Sequence, residues 1–261
     1  MNSISMSYSL LVMTYDRIYA LRDPYGNRPL CVGSTRKPFA FVAASETCAI
    51  QSIAEVKCEV KAGEIVEISR HGIRSIFQMH SAKPSFCIFE YVYFARADSI
   101  IGGRQVQSVR EECGRILADE SYIEADVVST VPDSASAASI GFAKQSGIRY
   151  EQVLHRNSYV GRSFIQPSTE LRQKVVLKKF GVISENVIGK RIILVDDSIV
   201  RGNTMAKIVR MLKAYGAKEY QTKIAQQRKG VLRHSESFFR HEQALFCLSL
   251  SDIFASLQKC L

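Results

Sequence analysis

The chain has 261 residues, 46% apolar and 23% charged, with 35 Lys and Arg against 25 Asp and Glu for a formal net charge of +10. That length holds one large domain or two small ones, and the balance is that of a soluble globular protein, with no stretch near the roughly 18 apolar residues of a membrane span. Seven cysteines, at 31, 48, 58, 87, 113, 247 and 260, form no C-x-x-C pair and are odd in number, which favours free thiols over a disulfide framework or a zinc site.

The start, Met1-Asn2-Ser3-Ile4-Ser5-Met6, carries no basic segment, and the apolar run 10–13 is too short for a secretory signal, so a cytoplasmic location is expected. Residues 7–80 read as short strands and turns. Ser9–Met13, 17–21, 40–43 and Glu64–Ser69 are rich in β-favouring residues, and turn chemistry sits at 23–26, 61–63 and 71–72. Arg22, Asp23, Asn27 and Arg28 read as a charged turn that fixes a hairpin rather than as active-site groups. A boundary is expected at 81–85, a polar stretch containing Pro84, followed by the aromatic segment 88–94. A helix is predicted over Val106–Asp119, with Val109, Cys113, Ile116 and Leu117 on one face.

From Asp126 onward strand and helix patterns alternate, which implies a parallel sheet. Strands are predicted at 127–131, 150–154 and 192–195, helices at 135–145 and 204–215, with Gly216 as a helix C-cap. The tail 226–261 has no proline and one glycine; a helix around Leu245, Leu248 and Leu250 is its expected structure, on a poor period.

The chemistry concentrates in the run Arg191 to Thr204, RIILVDDSIVRGNT. An apolar strand ends in two adjacent carboxylates, a short polar loop follows, and Met205, Ile208, Val209 and Leu212 then recur at the helical period. Loop amides and a helix N-terminus suit a phosphate, while the carboxylates accept hydrogen bonds from ribose hydroxyls or help hold Mg²⁺. An N-cap accounts for one acid but not for two followed by Ser198, Arg201, Gly202 and Thr204. The loop is not a Walker A sequence. Pro132-Asp133-Ser134 is a second strand end running into a helix; an N-cap role for Asp133 or Ser134 and an anion site are equally open there. The positive charge is dispersed, Trp is absent and no basic run carries interleaved aromatics, so neither nucleic acid nor a membrane is an expected partner. A mildly basic enzyme for polyanionic substrates accounts for the charge equally well.

The run VDDSIVRGNT resembles the phosphoribosyl pyrophosphate (PRPP) signature of type I phosphoribosyltransferases, in the wording of the glutamine PRPP amidotransferase (amidophosphoribosyltransferase) family. The segments RDPYGNRPL (22–30), CIFEYVYFAR (87–96), VPDS (131–134) and YVGRSFIQP (159–167) match the same family in the same order, so the resemblance covers about 7–225. It implies an α/β chain: a partial N-terminal-nucleophile (αββα) glutaminase domain over 1–83, a type I phosphoribosyltransferase domain with a parallel sheet over 84–225, and a divergent tail, 226–261. It implies displacement of pyrophosphate from PRPP by ammonia to give 5-phosphoribosylamine, the first step of purine nucleotide synthesis.

The PRPP site carried over comprises Asp133, Ser134, Tyr159, Arg162, Asp196, Asp197, Ser198, Ile199, Val200, Arg201, Gly202, Asn203 and Thr204, with Ser134, Asp196 and Asp197 on Mg²⁺. In the family, 156–174 is the flexible loop that closes over PRPP. Here the usual Lys-Asn-Arg-Tyr reads Arg156-Asn157-Ser158-Tyr159, losing one cation, and Ser163 replaces Thr. Nucleotides are the expected inhibitors, and a second copy or a full-length paralogue the expected protein partner. Cys87 matches one cysteine of the iron–sulfur cluster found in many members, but four suitably spaced thiolates are absent and no cluster is expected. Family members free ammonia from glutamine with an N-terminal cysteine; the first cysteine here is Cys31, so no glutaminase activity is expected, and the chain reads as truncated at both ends. The alternative is a non-catalytic PRPP- or nucleotide-binding module that pairs with the full-length enzyme. Uncovered sheet edges predict poor solubility.

Overall fold

A computed structural model describes residues 6–79, 84–120, 123–159, 179–198, 203–226 and 245–247. The chain divides into two compact units, Met1–Val109 and Arg110–Leu261.

The first unit begins with β1 (Ser9–Met13), β2 (Arg17–Arg22), β3 (Cys31–Arg36), β4 (Phe39–Ala44), α1 (Thr47–Gln51), β5 (Glu55–Glu59), β6 (Glu64–Ser69) and β7 (Gly72–Gln78). These strands form two antiparallel sheets, ordered β1-β2-β6-β7 and β4-β3-β5. Ala20, Val66 and Ile68 of the first sheet share a core with Val32 of the second and with Leu30 and Val60. The expected strands are present with at most one residue added at an end. The edge strand β1 leaves Leu10, Leu11, Val12 and Met13 all exposed.

The charged turn after β2 does not fix a hairpin as expected: it leads from β2 of the first sheet to β3 of the second, and its side chains tie the chain down there. Arg22 is buried and its guanidinium donates to the carbonyls of Arg28 at 2.7 Å, Val60 at 2.7 Å and Gly26 at 2.9 Å. Asp23, fully buried, accepts from the amides of Tyr25 at 2.9 Å and Asn27 at 3.2 Å. Gly26 takes φ +62°, a left-handed conformation that suits glycine.

The expected boundary at 81–85 does not coincide with the division between units. Residues 84–105, placed by the sequence at the head of the second domain, cluster with the first. A wide helical turn, Glu90–Phe94, is tied back by the Arg28–Glu90 ion pair at 2.8 Å. The short hairpin β8 (Ile100–Ile101) and β9 (Arg104–Gln105) is held by the Ile100 amide donating to Thr47 Oγ1 at 2.7 Å. Ser99 Oγ donates to Glu46 at 2.8 Å. These polar anchors act beside a small apolar cluster of Ala95, Ile101 and Val106 with Phe86 and Tyr91.

α2 (Val106–Asp119) lies where the units divide and matches its expected bounds, with Val109, Cys113 and Leu117 buried and Ile116 only partly so. The second unit continues with β10 (Val127–Thr130), α3 (Ser136–Ser146), β11 (Leu154–Arg156), β12 (Phe180–Val182), β13 (Arg191–Ser198), α4 (Asn203–Ala214), β14 (Glu219–Gln226) and β15 (Leu245–Cys247). Its main sheet, β10-β13-β14-β15, is parallel throughout. Alternation along β13 sends Ile193 and Val195 into a core with Phe142 of α3, and Ile192 and Leu194 into a core with Met205, Ile208 and Leu212 of α4. α4 ends in a Schellman motif: Gly216, at φ +85°, donates to Lys213 O and Ala217 to Leu212 O.

Two expectations are corrected here. The strand expected at 150–154 reduces to a single bridge of Tyr150 with Val128. Beyond it the Val153 amide bonds to Ser129 Oγ at 3.0 Å and its carbonyl accepts from Ile183, so the chain leaves the sheet and forms the antiparallel β11–β12 ribbon. The helix expected around Leu245 is instead β15, which supplies backbone partners to the edge of β14; Leu248 and Leu250 lie outside the described residues.

α2 and α3 touch backbone to backbone. A Cβ on Gly114 would lie 1.9 Å from Ala138 O, and one on Gly141 1.9 Å from Glu111 O. Gly141→Ala is therefore expected to destabilise the second unit by about 3 kcal/mol, since neither backbone can give way; the urea midpoint followed by circular dichroism measures it. At the start of β13, Asp126 accepts from the Arg191 amide at 2.8 Å and from its guanidinium at 3.0 Å, which pushes its carboxyl down to about 2. A carboxyl depressed on folding stabilises above its unfolded pKa and loses that contribution as pH falls through the folded value. Asp126→Asn should thus lower the melting temperature at pH 7, with the gap from wild type closing as pH falls from about 4 towards 2.

Candidate functional site

Parallel pairing brings two strand ends to one level. Thr130 of β10 lies opposite Val195 of β13, and the Val131 amide donates to Val195 O at 2.9 Å. Pro132-Asp133-Ser134 and Asp196-Asp197-Ser198 therefore leave the same edge of the sheet, the first leading into α3 and the second towards α4. Ligands bind to open α/β sheets beyond the carboxyl ends of the strands, where these two segments stand.

The two acids of β13 differ in surroundings. Alternation places Asp196 on the α4 side of the sheet and Asp197 on the α3 side. Asp196 is partly buried and its Oδ1 accepts from the Asp197 amide at 2.9 Å. Burial raises its carboxyl well above the usual range, Asp197's charge adds to the rise, and Lys179 opposes it. Asp197 is buried; its Oδ1 accepts from Ser198 Oγ at 3.2 Å, while Oδ2 is enclosed with no hydrogen-bond partner among the described residues. A buried carboxylate oxygen left unsatisfied costs stability and is kept where something else binds it.

These oxygens fit Mg²⁺. The ion prefers hard oxygen ligands and is commonly held by one or two carboxylates, with water and substrate oxygens completing its shell. No group of three or more acidic, His or Cys side chains suited to a metal occurs among the described residues.

At the second strand end Asp133 is exposed, Ser134 partly buried, and the Pro132–Asp133 peptide is cis. α3 opens at Ala135 with no side-chain cap, so neither Asp133 nor Ser134 takes the N-cap role left open by the sequence. Ser136 Oγ instead donates to Asp133 O at 2.8 Å. The Ser136 amide bonds to the same carbonyl at 3.3 Å, which leaves the next amides of the first turn, those of Ala137 and Ala138, as the ones an anion would meet.

Four charges converge above these strand ends. Arg156, at the end of β11, forms an ion pair with Asp133. Lys179, one residue before β12, accepts a bond from the Asn157 amide on its carbonyl at 2.8 Å. Its ammonium is half-buried among Arg156, Asp133 and Asp196; burial and Arg156 lower its pKa, and the two acids oppose that. Sequence reading missed Lys179, which is 23 positions from Arg156 and has no motif around it; only the β11–β12 pairing brings the two together. Tyr159, a member of the expected site, is fully exposed. Asn203 and Thr204 open α4, whereas Ile199, Val200, Arg201, Gly202 and Arg162 lie outside the described residues.

The Asp196–Asp197 pair stores repulsion in a poorly hydrated place. Asp197→Asn is expected to raise the unliganded melting point, by about 1–2 kcal/mol of added stability, as functional sites commonly do when their buried charge is removed. Differential scanning calorimetry without divalent cations tests this; a lower melting temperature contradicts it.

With this geometry in place, comparisons with known proteins agree among themselves. The phosphoribosyl transferase domain profile matches residues 141–238. Amidophosphoribosyltransferase of Mus musculus is 51% identical over 242 residues, covering 86% of this chain and 47% of the relative. The Drosophila melanogaster protein of that name is 52% identical over 236 residues, covering 84% and 43%. That of Archaeoglobus fulgidus is 45% identical over 223 residues, covering 85% and 48%. Among solved structures, glutamine PRPP amidotransferase from B. subtilis, complexed with ADP and GMP, superposes with a TM-score of 0.84 at 40% identity, over 95% of this chain and 58% of that one. The chain spans about half the length of the curated relatives it matches.

Proposed function

We propose that this chain, a homologue of the amidophosphoribosyltransferases with a type I phosphoribosyltransferase fold, binds PRPP with Mg²⁺ and transfers its phosphoribosyl group to ammonia. The reading rests on one observation above others: two adjacent acids near the end of a central parallel strand that is followed in the chain by a helix from Asn203, on a sheet whose neighbouring strand also leads into a helix.

In this reading Ser198 to Thr204 and the first turn of α4 receive the 5′-phosphate through backbone amides and the positive end of the helix. Asp196 and Asp197 accept hydrogen bonds from the ribose hydroxyls. The amides at Asp133, Ser134 and the start of α3 receive the pyrophosphate. Mg²⁺ is assigned to Asp196, Asp197 and Ser134, and when bound it neutralises charge on the departing pyrophosphate. In the reaction the nitrogen of ammonia bonds to C1 of the ribose as the C1–O bond breaks, the pair of electrons leaves with pyrophosphate, and the ammonium nitrogen loses a proton to water. The demands on the protein are positioning and charge placement rather than a dedicated base. Nucleotides share the ribose-phosphate portion of PRPP and are the proposed inhibitors, a role to which the ADP and GMP complex of the B. subtilis relative lends support.

Isothermal titration calorimetry of the full chain with PRPP tests the reading. Binding is expected with Mg²⁺ and is expected to weaken at least 10-fold with EDTA or in Asp196→Asn, each of which removes a charge-assisted contact. Folded protein that gives no heat with PRPP and Mg²⁺ contradicts it. Pyrophosphate release on adding an ammonium salt then separates turnover from binding alone.

A further inference from the structure

The second unit contains an internal imitation of its proposed complex. Arg156 closes β11 and leans on Asp133, the acid at the mouth of α3. Lys179 stands next to Arg156 across the β11–β12 ribbon, near Asp133 and Asp196. Two cations and two acids thus face one another over the strand ends, with one ion pair among them. Asp133 is not needed for the fold. Its side chain is 69% exposed, it caps no helix, and the only described partner of its carboxylate is Arg156. An exposed ion pair of this kind contributes little to stability and opens readily.

On the reading of a PRPP site, pyrophosphate arrives at the amides of the same turn that carries the Asp133 carboxylate. An anion entering there meets a like charge on Asp133 and a cation, Arg156, that Asp133 already occupies. From this arrangement we infer that the Asp133 carboxylate is a displaceable counter-ion, a self-inhibitory contact that holds Arg156 until pyrophosphate takes its place. The contact sets a threshold: a weakly charged anion does not compete for Arg156, whereas a pyrophosphate group, with several acceptor oxygens, does. Lys179 is the second cation facing the opening and is not held by an ion pair among the described residues. The affinity for the anion therefore falls by the free energy of the Arg156–Asp133 pair and of the Asp133 repulsion, and removing Asp133 should recover both.

The inference rests on the PRPP reading, and calorimetry can separate the two. The probes are inorganic pyrophosphate with Mg²⁺ and, in parallel, PRPP with Mg²⁺, titrated into wild type, Asp133→Asn, Arg156→Met and the double variant, with Asp133→Ser as a second removal of the charge. Asp133→Asn and Asp133→Ser are expected to bind pyrophosphate about 3- to 5-fold tighter than wild type, the scale of an exposed ion pair. Arg156→Met should bind about 10-fold weaker. In the Arg156→Met background, removing Asp133 should tighten binding by less than it does in wild type, because the ion pair is already gone and only the repulsion is left to relieve. Weaker or unchanged binding by both Asp133 variants overturns the inference and makes the carboxylate a ligand or a bystander. Equal tightening with and without Arg156 also overturns it, since Asp133 then acts by repulsion alone. Wild type that binds PRPP while the Asp133 variants fail to tighten leaves the functional reading standing and removes only the counter-ion; wild type that binds neither probe removes both.

Discussion

Parallel pairing of β13 with β10 and β14 is the constraint on which the rest of the second unit depends. Parallel strands present all their carboxyl ends at one edge, so the residues that follow β10 and β13 meet without any long-range design. Both strands then need a crossover back to the other edge, and both take it through a helix. The consequence is that the chain leaving each of these strands leads to a helix start, from the edge where the apolar sheet ends and charge begins. The close crossing of α2 and α3, backbone on backbone at Gly114 and Gly141, fixes one of these helices tightly enough for its first turn to serve as a receptor.

That geometry is held against an electrostatic cost. Asp196 and Asp197 are consecutive, enclosed to different degrees, and one of their oxygens takes no partner among the described residues. Nothing in the fold requires two acids there: a single capping residue would end the strand and begin the helix. The neighbouring cations do not cancel the acids one for one, since Arg156 is committed to Asp133 and Lys179 is divided among three charges. A site with surplus negative charge on β13 and surplus positive charge on the β11–β12 ribbon fits a ligand that brings a divalent cation and a polyanion together, as a magnesium-bound sugar pyrophosphate does.

The first unit uses buried charge differently. Each of the three guanidinium nitrogens of Arg22 donates to a carbonyl, one of them on Val60, and Asp23 accepts from two amides of its own turn, so both are partnered where the chain passes from one sheet to the other. Buried polar groups with complete partners specify a conformation, whereas the unsatisfied Asp197 oxygen points to chemistry. This contrast also explains what could be read in advance. Strands such as Glu64–Ser69 and helices such as Val106–Asp119 have a clear period, and Asp196–Asp197 stand out because a cap accounts for only one of them. The β11–β12 ribbon, Lys179 and the attachment of 84–105 to the first unit were not legible. Each depends on hydrogen bonds between distant residues, such as Val153 with Ser129 or Thr47 with Ile100, and local pattern carries no trace of them. The same limit hid β15, whose three residues form a strand only because β14 offers an edge.

The central claim is that the carboxyl ends of β10 and β13 hold a sugar pyrophosphate. A crystal structure of the chain grown with PRPP and Mg²⁺ tests it most directly. The account predicts the ribose against Asp196 and Asp197, the 5′-phosphate at the start of α4, and the pyrophosphate at the amides before α3 with Arg156 released from Asp133. A ligand bound away from these strand ends, or an ordered complex in which neither acid of β13 approaches the ribose or the ion, would contradict it.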